Sequence, residues 1–403
     1  MDAKTFGVTI SSLRKKEGLT QAEIAAKLNV SDKTVSKWEN GLGFPEITQL
    51  PCIAELFGVS IDYLMTGERS GITVAGNIIA DIVKRIDCYP KIGMLSNITG
   101  VSKAVGGCAP NTAIDLAKID RSLPVSVIGS VGDDDYGRYI ISQLHRYNID
   151  TERISVINDV HSSFSDVMSL PSGERTFFHA RGANAHFSPE FIDVSSLHCN
   201  ILHIGYILLL DKFDAPDSEY GTVMARFLHS VQEKGIKTSV DVVSDSSADY
   251  QSIIKPALKY CNYIIFNEIE CSNIWGLDPY KNGEKPDIEI IKESMIKTLE
   301  AGVSNKVIVH CKQAGFCLDS SGRFTVVPSL KIPKEEIKGS VGAGDAFCAG
   351  SLYGIYNGFD DEEILKFASC AAAYNLFSEN AVDGMRNKNE ILKLEEKYGR
   401  IKL

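Results

Sequence analysis

The chain has 403 residues, 44% hydrophobic and 23% charged, with 42 basic against 52 acidic side chains and a formal net charge of −10. It is too long for one small domain, and its balance excludes a disordered or fibrous polypeptide. The acidic excess also excludes a protein that coats nucleic acid along its whole length, though not a local DNA-binding module.

At the start, Met1 to Ile10 lacks the apolar stretch of a signal peptide, and the longest apolar run, around Ile204 to Leu210, falls short of the roughly 20 residues that span a bilayer. A cytoplasmic protein with no membrane span is expected. Thr20 to Glu23 reads Thr-Gln-Ala-Glu, a capping box with Leu19 and Ile24 as a hydrophobic staple, which predicts a helix to about Leu28. Asn29 and Val30 make a turn. Ser31 is a second N-cap, Val30 and Val35 a second staple, and Gly41 lies just past the helix that carries Val35 and Trp38. Ala25, Leu28, Val35 and Trp38 form the face on which the two helices pack, leaving Asp32, Lys33, Thr34, Ser36 and Lys37 outward or at its edges. That short polar face suits a major groove; a helical bundle for protein contacts is the alternative.

Leu19 to Gly41, with Phe44-Pro45, Leu56-Phe57-Gly58-Val59-Ser60 and Asp62-Tyr63-Leu64, resembles the phage-repressor and Cro type of helix-turn-helix domain, over about a sixth of the chain. The resemblance implies that Asp32 to Trp38 is a recognition helix for double-stranded DNA, with Ser31, Lys33, Thr34, Ser36 and Lys37 on the DNA side and Gln21 and Asn40 on phosphates. Met1 to Thr66 carries seven basic and eight acidic residues, so affinity would rest on local placement and dimerisation more than on bulk charge.

Gly67 to Gly71 reads as a linker between a domain at 1–66 and another at 72–403. Beyond it, strand-like runs (Ile72 to Gly76, Val125 to Gly129, Ile201 to Ile204, Thr238 to Val243, Tyr263 to Phe266, Val307 to His310) alternate with helical ones (Pro110 to Ile119, Tyr136 to Tyr147, Glu219 to Lys234, Gln251 to Tyr260, Ile288 to Glu300). Strict alternation predicts an α/β fold, its mostly parallel sheet covered on both faces, with ligands at the carboxyl ends of the strands. Ten cysteines are scattered without a Cys-x-x-Cys pair, so reduced, buried thiols are expected. His198, Cys199, His203, His310 and Cys311 sit in or beside apolar runs, where packing, and no direct protein ligand to a metal, is expected.

Two loops carry chemistry. Gly106-Gly107-Cys108-Ala109-Pro110-Asn111 brings a glycine pair, a proline suited to a first helical turn and an amide able to donate and accept toward a polyol; a plain turn is the alternative. Gly339-Ser340-Val341-Gly342-Ala343-Gly344-Asp345 frees backbone N–H groups at a helix start, an anion hole for developing phosphate charge. Asp345 beside that hole is either a base that takes a proton from an attacking hydroxyl or a helix cap.

Together the loops closely resemble the ribokinase-like sugar kinase family, also called PfkB, from about Ile72 to the C-terminus. The resemblance implies a three-layer α/β sandwich with a small β lid, drawn here from about Ile82 to Val105 and Ser162 to Ala180, and a homodimer, since in several relatives the lid pairs protomers. It implies ATP and Mg²⁺ as cofactors and a small carbohydrate as substrate. Asp345 becomes the catalytic base, and Gly342, Ala343 and Gly344 the loop that holds the transferred phosphoryl group. Asp81, Gly107 and Asn111 fall on substrate positions, with Arg181 able to reach the substrate or close the lid. Asn267 and Glu270, in Asn-Glu-Ile-Glu, fit the motif whose glutamate organises magnesium and phosphate through water. Lys312, Gly315 and Asn375 fall near the nucleotide. Gly339-Ser340 stands where the family usually has Asp-Thr, which leaves a monovalent-cation site open. There is no P-loop and no Gly-x-Ser-x-Gly elbow. The expected activity is ATP-dependent phosphorylation of a sugar hydroxyl under a DNA-binding head; a nucleoside kinase, or a transcription regulator whose body only senses ligand, are the alternatives.

Overall fold

The computed structural model describes residues 2–57, 59, 61–67, 70–172, 174–244, 249–281 and 283–403. Gly58 and Ser60, in the second repressor-like run, and Glu68 and Arg69, in the expected linker, lie outside the described residues. Residues up to Gly71 together with Asp193–Asn200 form one compact unit, and Ile72–Ile192 with Ile201–Leu403 the other.

In the first unit, α1 (Ala3–Lys16) starts where the Asp2 carboxylate accepts from the Thr5 amide at 2.6 Å. α2 (Gln21–Leu28) opens on the expected capping box: the Glu23 amide donates to Thr20 Oγ1 at 3.2 Å and the Thr20 amide to Glu23 Oε2 at 2.7 Å. Asn29, at φ 54°, closes it, and Ser31 caps α3 (Asp32–Glu39) by accepting from the Thr34 amide at 3.1 Å. α4 (Leu50–Phe57) and α5 (Ile61–Thr66) complete a bundle whose core holds Phe6, Ile10, Ile24, Val35, Trp38, Ile53 and Leu64. Phe6, Ile10 and Leu13 give α1 an i, i+4, i+7 stripe. Its Arg14 makes two hydrogen bonds to the Glu39 carboxylate, at 2.6 and 2.9 Å, tying the first helix to the third.

In the second unit, chain order gives β1 (Ile72–Gly76), β2 (Ile79–Ile86), β3 (Ile98–Gly106), α6 (Cys108–Ile119), β4 (Val125–Gly132), α7 (Asp135–Arg146), β5 (Ile154–Ile157), β6 (Phe164–Ser169), β7 (Arg175–Ala180) and β8 (Ile201–Ile207). Then come β9 (Pro216–Asp217), β10 (Gly221–Thr222), α8 (Val223–Glu233), β11 (Lys237–Val242), α9 (Tyr250–Leu258), β12 (Tyr263–Asn267), α10 (Glu268–Asn273), α11 (Ile288–Glu300), β13 (Lys306–His310), β14 (Ala314–Asp319) and β15 (Phe324–Pro328). α12 (Ala343–Tyr356), α13 (Asp361–Asn375), α14 (Lys388–Ile391) and α15 (Lys393–Tyr398) follow.

The large sheet runs β15-β14-β13-β12-β11-β8-β1-β4-β5, parallel except for the antiparallel pairs at β13/β14 and β14/β15. Its apolar strands are buried between helices, as a parallel sheet requires. A second sheet, β3-β2-β6-β7, is the expected lid, although it begins at Ile79, earlier than Ile82. Asp81 lies on a lid strand, β2. The helix expected from Glu219 starts only at Val223, because β9 and β10 pair as a small hairpin and the Thr222 hydroxyl caps α8 through the Ala225 amide at 3.2 Å. Among the described residues no helix is long and apolar enough to cross a membrane.

Candidate active site

Gly342 stands at φ 76°, and a Cβ there would lie 2.6 Å from the Cα of Ala381, so only glycine admits this turn into α12. The turn directs the first amides of α12 to one side, where the helix dipole favours negative charge. Asn375, buried at the end of α13, donates from Nδ2 to the Val341 carbonyl at 3.0 Å and so braces the loop from behind. Its Oδ1 is buried without a hydrogen-bond partner among the described residues.

Asp345, in the first turn of α12, is 5% exposed. Its Oδ2 accepts from Asn111 Nδ2 of α6 at 2.9 Å and its Oδ1 from the Tyr206 hydroxyl of β8 at 2.5 Å. Neither partner belongs to its own helix, so the carboxylate is presented sideways to two other elements and is not a cap. Burial pushes its carboxyl up to about 6 against the downward pull of Tyr206 and Asn111, with Asp81 adding to the rise. Asn111 Oδ1 is buried without a hydrogen-bond partner among the described residues, an acceptor free for an incoming hydroxyl.

Asp81 leans over the glycine pair: a Cβ on Gly106 would fall 2.1 Å from Asp81 Oδ2. Burial pushes its carboxyl up to about 6, with Arg175 pulling the other way. Gly107, at φ 89°, is the N-cap of α6, and Cys108 is buried with its thiol donating to the Gly205 carbonyl at 2.5 Å. Asp81, Gly107, Asn111, Asp345 and the Gly342–Gly344 turn thus gather round one place.

Asn267 and Glu270 form a second capping box, at the start of α10. The Asn267 amide donates to Glu270 Oε2 at 2.9 Å, and Ser244 Oγ donates to Glu270 Oε1 at 2.7 Å. Burial pushes Glu270 up to about 7. Asp241, at the end of β11, is raised by burial and then by Glu270 and Asp345, two buried carboxylates that oppose its ionisation. Oxygen donors in mutual repulsion fit a hard divalent cation.

Arg181 is in an exposed ion pair with Asp211 at 2.5 Å. Lys312 is exposed between β13 and β14, whereas Gly315 is buried in β14 against Phe347 and Leu365 and presents no open surface. His203 is buried, its Nδ1 3.0 Å from Ser239 Oγ and its Nε2 3.5 Å from Cys348 Sγ; burial lowers it to about 3. One ligand atom each of His203, Asp241 and Cys348 lies within 4.8 Å of the others. His310 packs on Phe347 with ring centroids 4.8 Å apart, and Cys311 accepts from the Ala314 amide. His198 and Cys199 precede β8 and are not part of it. Tyr206, Asp241 and the buried Asp115, whose burial raises its carboxyl, are site-side groups that sequence reasoning missed.

On the head, Lys33, Lys37 and Asn40 are exposed and Thr34 and Ser36 half-buried. Ser31 Oγ and Thr34 Oγ1 are hydrogen-bonded at 2.8 Å, and Asn40 Nδ2 donates to the Ser36 carbonyl at 2.8 Å. Gln21 donates from Nε2 to Glu39 Oε2 at 2.8 Å, joining the Arg14 pair.

A family model described as pfkB family carbohydrate kinase matches residues 73–388, and a helix-turn-helix model matches residues 10–64. The ribokinase of Arabidopsis thaliana is 26% identical over 80% of this chain and 80% of its own. A 5-dehydro-2-deoxygluconokinase of Shouchella clausii is 22% identical over 73% of this chain and 87% of its own. The structure of Arabidopsis thaliana ribokinase complexed with ribose and ATP superposes with a TM-score of 0.67 at 22% identity, covering 81% of this chain and 98% of that one.

Proposed function

The chain belongs to the pfkB family of carbohydrate kinases and carries a helix-turn-helix region at its N-terminus, and on that premise we propose that it transfers the γ-phosphoryl group of ATP to a hydroxyl of a small carbohydrate. The observation that carries this is the Asp345 carboxylate, buried beside the Gly342–Gly344 turn and held from two other elements. Asp81 and the free Oδ1 of Asn111 grip acceptor hydroxyls. Asp345 takes the proton of the attacking hydroxyl, and the amides of Ala343 and Gly344 stabilise charge on the phosphoryl group in transfer. Magnesium would be held by Glu270, with Asn267, through water, and would neutralise phosphate charge when bound. The lid excludes water, protecting ATP from hydrolysis. Lys312 borders the nucleotide.

Residues 1–66 act as a DNA-binding domain, 67–71 as a linker and 72–403 as the kinase, in a cytoplasmic homodimer whose two heads read half-sites about one helical turn apart. Recognition uses Lys33, Thr34, Ser36 and Lys37, and the expression of sugar genes responds to the substrate. A screen of ATP consumption over sugars, sugar phosphates and nucleosides, repeated with Asp345→Asn, tests the kinase. Turnover that survives in the variant would overturn the role of Asp345.

A further inference from the structure

The lid face that carries Asp81 carries more than a sugar grip. Register places Ala104, Asp81, Ser165 and His179 in one row across the lid and Gly100, Arg85, Ser169 and Arg175 in another, two rows away on the same face. Along β2, Asp81 and Arg85 are four residues apart, roughly 13 Å of strand, and an arginine side chain reaches back over part of that distance. Beneath this second row lies a cavity of about 640 Å³, closed on the other side by Lys338 and the segment Ser378–Asp383. Lys338 directly precedes the loop that opens α12.

Charge in this cavity runs against the rest of the chain. Four basic residues (Arg85, Lys103, Arg175, Lys338) and two acidic ones (Glu379, Asp383) line it, in a protein of net charge −10. Glu379 pairs with Arg85 at 2.7 Å, and Asp383, which accepts from the neutral Asn380 Nδ2 at 2.6 Å, keeps its charge, so Lys103, Arg175 and Lys338 stand against one carboxylate. Lys103 lies over the Tyr139 ring at 3.9 Å. Arg175 donates to a neutral group, the Glu379 carbonyl, at 3.2 Å, so that contact leaves its charge uncompensated. Its field reaches Asp81. Thr99, Ser102, Ser169 and Ser378 add hydroxyls to the lining. None of the residues of the Gly342–Asp345 turn lines the cavity, so its positive charge is separate from the hole for the transferred phosphoryl group.

We infer that this cavity seats an anionic group carried by the acceptor itself, a carboxylate or a phosphate ester held by Arg175 and Lys338, while Asp81 and Asn111 hold hydroxyls nearer Asp345. The acceptor is then a sugar acid or a sugar monophosphate. The inference rests on the kinase reading above and names its substrate class. A neutral sugar would leave these cations facing solvent, whereas an anion gains charge-assisted hydrogen bonds from them.

The test is steady-state kinetics with ATP and magnesium over three sets of acceptors: neutral aldoses and ketoses, the corresponding aldonic acids, and sugar monophosphates. One anionic set is expected to exceed the neutral set in kcat/KM by at least tenfold, and which set does so distinguishes carboxylate from phosphate. In Arg175→Ala and Lys338→Ala, KM for the anionic acceptor is expected to rise roughly 10-fold to 100-fold with kcat changed little, the mark of lost uniform binding. Arg175→Lys should recover part of it. Preference for neutral sugars, with an anionic-to-neutral ratio that neither variant alters, overturns the inference and leaves the kinase standing. If no acceptor is phosphorylated, the kinase reading fails instead. Calorimetric titration of the same acids and monophosphates into wild type and the double variant then decides the cavity: saturable binding lost in the variant upholds it, and equal heats overturn it.

Discussion

The head and the body place their candidate functional groups in opposite ways. On the head, the candidate residues other than Gln21 come from one stretch, Ser31 to Asn40, and the hydrogen bonds among them close within four residues, as between Asn40 and Ser36. In the body, Asp345 is held by Asn111, 234 residues away, and by Tyr206, 139 residues away. A recognition surface works by meeting solvent and a partner, so local caps suffice to shape it. A base with a raised pKa needs burial, and burial needs neighbours from several elements.

The sharpest way to break this contrast is Asp345→Asn, which keeps the shape and both partners but removes the base. Turnover is expected to fall by about 10²-fold to 10⁴-fold with acceptor KM changed little, while operator affinity stays as it was. Steady-state kinetics beside a gel-shift titration reads both, and a loss of DNA binding would show that the two regions do not work apart.

A smaller effect sharpens the part played by Asp345's neighbours. With its carboxyl raised to about 6, the base form is present above that pH, so kcat/KM should fall about tenfold per pH unit on the acid side. Tyr206 holds that pKa down, and Tyr206→Phe is expected to move the acid limb to higher pH. An unmoved limb in the pH profile would mean that another group governs it. For stability the same rise has the opposite sense: the folded protein holds these protons more tightly than the unfolded chain, so the contribution is full below the ordinary value of 3.8 and is lost as pH climbs through about 6.

The same contrast explains what the sequence could tell. The capping box at Thr20, the cap at Ser31 and the glycine turn before Asp345 are contiguous signals, and each local structure is where its residues predict it. Alternation of strand and helix announced six of the nine strands of the large sheet, but not β5, β14 or β15. Tyr206 carried no signal, because a tyrosine at the end of an apolar strand becomes meaningful only when β8 and α12 come together. The resemblance places Asn375 near the nucleotide, and only packing shows that its amide also holds the Val341 carbonyl. α1 was not read from the sequence, because its stripe of Phe6, Ile10 and Leu13 has no capping box to announce it.

Packing of the head gives a third test. A Cβ on Gly7 would lie 2.4 Å from the Trp38 carbonyl oxygen and 2.8 Å from that of Glu39, and backbone at the end of α3 has little room to yield. Gly7→Ala is expected to cost the head about 1 to 3 kcal/mol by overpacking, seen as a lower unfolding midpoint for that region, with kinase turnover unchanged. A midpoint equal to wild type would mean that α1 can shift off α3 freely.

The smallest effect concerns a single exposed lysine. Lys37 lies in the last turn of α3 and has no acidic partner among the described residues. If it meets a phosphate, Lys37→Ala releases one counterion fewer, and the slope of log affinity against log salt becomes shallower by about one. The loss should then be the same for operator and for unrelated DNA. Thr34→Ala or Ser36→Ala would instead alter preference among sequences, by about 1 to 3 kcal/mol at the base pair concerned, if those side chains meet base edges. Fluorescence anisotropy from low to moderate salt separates the cases. An unchanged slope with altered sequence preference would move Lys37 from the backbone to the bases, and an unchanged affinity on every DNA would take it out of the interface.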